Sequence, residues 1–63
     1  MGAGGVIQQH AVIRQAVNDP NIYGVLPTQC KQHVDQINAK ALGDWGESDY
    51  AYMISMLIVA RHC

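Results

Sequence analysis

A chain of 63 residues with 4 basic side chains, 5 acidic ones and a formal charge of −1 leaves room for one domain. Its cations, Arg14, Lys31, Lys40 and Arg61, are scattered. That excludes a binder held on nucleic acid by clustered phosphate contacts, and five carboxylates cannot imitate a phosphate array. A chain this short buries only about 60% of its unfolded surface, so it should lean on a disulfide, a metal or a second subunit.

The chain opens on MGAGG, three glycines in five residues, which predicts a flexible N-terminus over residues 1–5. GAGG lacks the spacing of a phosphate-binding loop. Gly2 is followed by Val6 where an N-myristoylation motif needs Ser or Thr. MGAGGVIQQH has neither the basic start nor the long apolar core of a signal peptide. Two cysteines, Cys30 and Cys63, allow one disulfide but no framework. The expectation is a cytoplasmic protein with free thiols.

Residues 6–63 are expected to form a single small helical domain. The first helix covers Val6–Asn18, with Val6, His10, Ile13 and Val17 on one face and Val12 and Ala16 widening it. His10 on that face reads as a satisfied core or interface histidine. NDPN then breaks the helix, because Pro20 cannot continue it and disfavours a helical Asp19. Residues 22–26, IYGVL, read as a short extended or strand segment. A lone strand must pair with something, so this one either forms an intermolecular ribbon with a second copy or lies across the helices as an apolar linker. Pro27 and Thr28 open a second helix to about Leu42, with Cys30, Val34, Ile37 and Ala41 as its stripe and Gly43 as its stop. Trp45 should cover the end of the core while keeping its N–H near water.

The third helix holds the longest apolar run, YAYMISMLIVA over residues 50–60, broken only by Ser55. Eleven residues are too few to cross a bilayer, which takes about 20. Asp44 with Glu47, or Ser48 with Asp49, supplies capping chemistry at its start. At 3.6 residues per turn, Tyr50, Met53, Ile54, Leu57 and Ile58 share the expected core arc. Tyr52, Met56, Val59 and Cys63 fall on the opposite arc. A helix apolar all round is usually buried all round. This second arc is therefore the expected interface, for self-association or for a partner protein.

Chemistry-bearing clusters are sparse. Cys30 and His33 lie three apart on one helix and could form half a zinc site, with His62 and Cys63 as the rest. The second half is poor, since adjacent helical residues point about 100° apart. A Cys30–His nucleophile pair lacks an orienting motif, and a chain of this size has little space for a substrate pocket. Asp44, Glu47 and Asp49 do not follow a calcium-loop order and read as caps. No catalytic, cofactor or metal residues are assigned, and no cofactor is expected. An apolar third helix cannot read base edges, which disfavours helix-turn-helix DNA binding.

The resulting expectation is a mainly α, three-helix domain with a short extended insert, completed by dimerisation. Its class is a small non-enzymatic interaction or regulatory protein that binds an unidentified protein partner, not a membrane. An accessory protein or inhibitor from a phage, a mobile element or a bacterium would fit. The alternative is a small metal-dependent or DNA-binding regulator.

Overall fold

The computed structural model describes residues 3–58. The fold is mainly helical, and no strand occurs among those residues. Four helices follow in order: α1, Ala3–Val17; α2, Pro20–Tyr23; α3, Thr28–Asn38; and α4, Glu47–Ile58. A 3₁₀ turn, Leu42–Asp44, precedes α4.

α1 begins at Ala3, so residues 3–5 are helical where a flexible lead was expected. Glycines cost about 1 kcal/mol each relative to alanine. Propagation from the helix that follows offsets this. His10 and Val17 are buried and Ile13 packs against the core, as the spacing predicts. Val6 and Val12 do not follow. They stand 52% and 58% exposed, on the outer side of α1.

The expected extended segment at 22–26 is instead a helical turn. Asp19 is its N-cap, and the Asp19 carboxylate accepts from the Asn21 amide at 2.8 Å. Pro20 supplies the fixed φ of a first helical residue. The Gly24 amide returns to the Pro20 carbonyl at 3.0 Å, and Leu26 N–H reaches Tyr23 O at 3.1 Å. With its backbone bonds made locally, this piece needs no strand partner. It delivers Leu26 to the core.

α3 starts behind Pro27, as expected, and buries Cys30, Val34 and Ile37. It stops at Asn38, not Leu42. There Asn38 and Asn18 exchange side-chain amide bonds at 2.8 and 2.9 Å, joining the ends of α3 and α1. Ala41 is exposed and Gly43 lies inside the 3₁₀ turn, so neither plays its expected part. Trp45 is buried, and its Nε1–H donates to the Ile37 carbonyl at 3.3 Å, inside the protein and not toward water.

α4 is capped differently from either expected arrangement. Gly46 O accepts from Tyr50 N–H at 3.2 Å, which makes Gly46 the N-cap. Asp49 reaches back, and its carboxylate accepts from Gly46 N–H at 3.0 Å. This is the reciprocal half of a capping box. The same oxygen holds Lys40 Nζ at 2.8 Å.

The core is Val17, Leu26, Cys30, Val34, Ile37, Trp45, Met53 and Met56. On α4 the buried centre lies between Met53 and Met56, with Tyr50, Tyr52 and Leu57 packed beside it. Ile58, placed on the expected core arc, is 74% exposed. The true inward face is thus rotated by about 100°, one residue, from the arc the sequence suggested. Rings on either side account for this orientation. Tyr50 meets His10 of α1, and Tyr52 stacks on His33 of α3.

The chain exposes 4139 Å². A folded monomer of 6.9 kDa should expose about 4,000 Å² by the usual mass scaling. Both methionines of α4 are covered within one copy.

Candidate functional site

The four residues expected at an interface divide as follows. Met56 is 1% exposed in the monomer core, which corrects its assignment to an outer face. Its unbranched side chain fills space between α4 and the rest of the core. Tyr52 is half-buried, with its ring stacked on His33 at 3.9 Å between centroids. Its hydroxyl is buried without a hydrogen-bond partner, and burial raises its pKa above the ordinary 10.0. Val59 and Cys63 lie outside the described residues.

Cys30 is disulfide-bonded, which corrects the expectation of free thiols. It also dismantles the possible zinc set of Cys30, His33, His62 and Cys63, because a disulfide sulfur is not a thiolate ligand. His33 is engaged with the Tyr52 ring. His62 and Cys63 lie outside the described residues. Among the described residues, no three His, Cys, Asp or Glu side chains come together as a metal-holding group.

The structure concentrates unsatisfied surface elsewhere, along the seam between α1 and the start of α4. An open groove of about 520 Å³ runs there, lined by Gly5, Gln8, Gln9, Val12, Ile13 and Tyr50. None of these side chains carries a charge. Gln9 and Tyr50 also border a smaller cavity of about 290 Å³, together with Val6, His10, Trp45, Gly46 and Glu47. The two are therefore neighbouring parts of one seam.

Three rings build its inner wall. His10 lies between Trp45 and Tyr50, with centroid distances of 5.1 and 4.9 Å. His10 Nδ1 is 3.2 Å from the Leu42 carbonyl. A carbonyl can only accept, so Nδ1 carries the proton. This bond fixes the ring and fastens α1 to the 3₁₀ turn. His10 is the satisfied, buried histidine that its position on α1 predicted.

On the far side of the molecule polar groups are paired. Tyr23 O–H donates to Asp35 at 2.7 Å, and loss of that bond on ionisation raises the Tyr23 pKa. Lys31 lies over the Tyr23 ring at 5.7 Å. At the start of α4, beside the seam, the Lys40 ammonium, then the Gly46 amide, lower the Asp49 pKa below its ordinary 3.8.

Sequence reasoning missed Gln9, Val12, Glu47 and Tyr50 as seam residues. The usable signal was the break in α1's polar side, where Val12 stands between Gln8, Gln9 and Gln15. No family model matches the chain, and neither a curated protein nor a solved structure matches it. No helix among the described residues is long and apolar enough to cross a membrane.

Proposed function

We propose that this chain is a small non-enzymatic interaction protein that docks a partner along the α1–α4 seam. One observation carries the reading. Val12 stands 58% exposed in the lining of an open, uncharged groove, and Val6, 52% exposed, lines the adjoining cavity, although the chain has a closed core of its own. Scattered exposed apolar residues are ordinary, whereas ones that line adjoining concave surfaces suit an interaction face. The groove presents helix side chains with two glutamine amides, which suits a partner helix or extended segment.

Self-association could use the same face. A two-fold axis across α1 would bring Val12 near its own copy, and no like charges from the groove lining would oppose it. Its signature is a melting midpoint that rises with protein concentration. The disulfide at Cys30 weighs for an oxidising compartment over the reducing cytoplasm.

The test is affinity capture on three immobilised chains: the native one, Val12→Asp and Ile58→Asp. Ile58 is the control, being more exposed than Val12 yet not part of the groove lining. The expected result is a set of proteins held by the native chain and Ile58→Asp but lost from Val12→Asp. The same set on all three would remove the seam from the function.

A further inference from the structure

We draw no further inference here: the strongest candidate, the open groove of about 520 Å³ between α1 and the start of α4, lined by Gly5, Gln8, Gln9, Val12, Ile13 and Tyr50, belongs to the docking face already described, and nothing in the structure shows what covers it.

Discussion

The two long sides of this molecule solve the problem of a small chain in opposite ways. On the α3 side, contacts close on themselves: Asn18 with Asn38, Tyr23 with Asp35, and Cys30, Val34 and Ile37 fully covered. Along the α1–α4 seam the wall is equally well built, but its outer surface is left open. His10 makes ring contacts with Trp45 and Tyr50, while Val6 and Val12 face solvent. The difference teaches that the seam is not unfinished core. Its rings are positioned as firmly as any in the protein, and what remains uncovered lies outside them.

The largest expected effect breaks the closed side. Met56→Asp places an unpaired carboxylate where no water reaches, at a cost of several kcal/mol. A single core of this size supplies roughly 3–5 kcal/mol, so circular dichroism should show an unfolded chain. Next comes the disulfide at Cys30. Reduction should lower the unfolding free energy by about 2–4 kcal/mol, read from denaturant midpoints with and without dithiothreitol. Asn18→Ala is a smaller blow, leaving the Asn38 amide without its reciprocal partner. It should cost about 1 kcal/mol and fray the junction of α1 and α3, visible as faster amide exchange there.

The α3 side was largely legible in the sequence. Cys30, Val34 and Ile37 fall at helical spacing among Gln, Lys and Asp, so only one orientation hides the apolar stripe. α4 offered no such contrast. With apolar residues all round, its own pattern could not select a face, and contacts with α1 and α3 did so instead. That is why Met56 and Ile58 exchanged their expected places. Asp19–Pro20 was read as a helix break because Pro20 ends α1. The same pair, as cap and first residue, also starts α2. The seam itself was illegible because it is built by residues far apart in sequence: Gln9, Val12, Glu47 and Tyr50 meet only once α1 and α4 are packed.

A pH titration would sharpen the comparison at the start of α4. Lys40 and the Gly46 amide hold Asp49 below 3.8, so its contribution to stability is present above that value. It should be lost as pH falls through the lower, folded-state value. Lys40→Met removes the leading cause and should flatten this acid limb, measured as melting temperature against pH.

The smallest expected effect on the fold is also the most direct test. If the outer face of α1 belongs to docking and not to the core, Val12→Asp should unfold within about 0.5 kcal/mol of the native chain, as surface substitutions do. The measurement is an equilibrium denaturant titration of the two chains at low concentration. Coincident curves would support the account. A Val12→Asp chain destabilised by about 2 kcal/mol or more would mean that this face is part of what holds the protein together, and the distinction between the closed side and the open seam would fail.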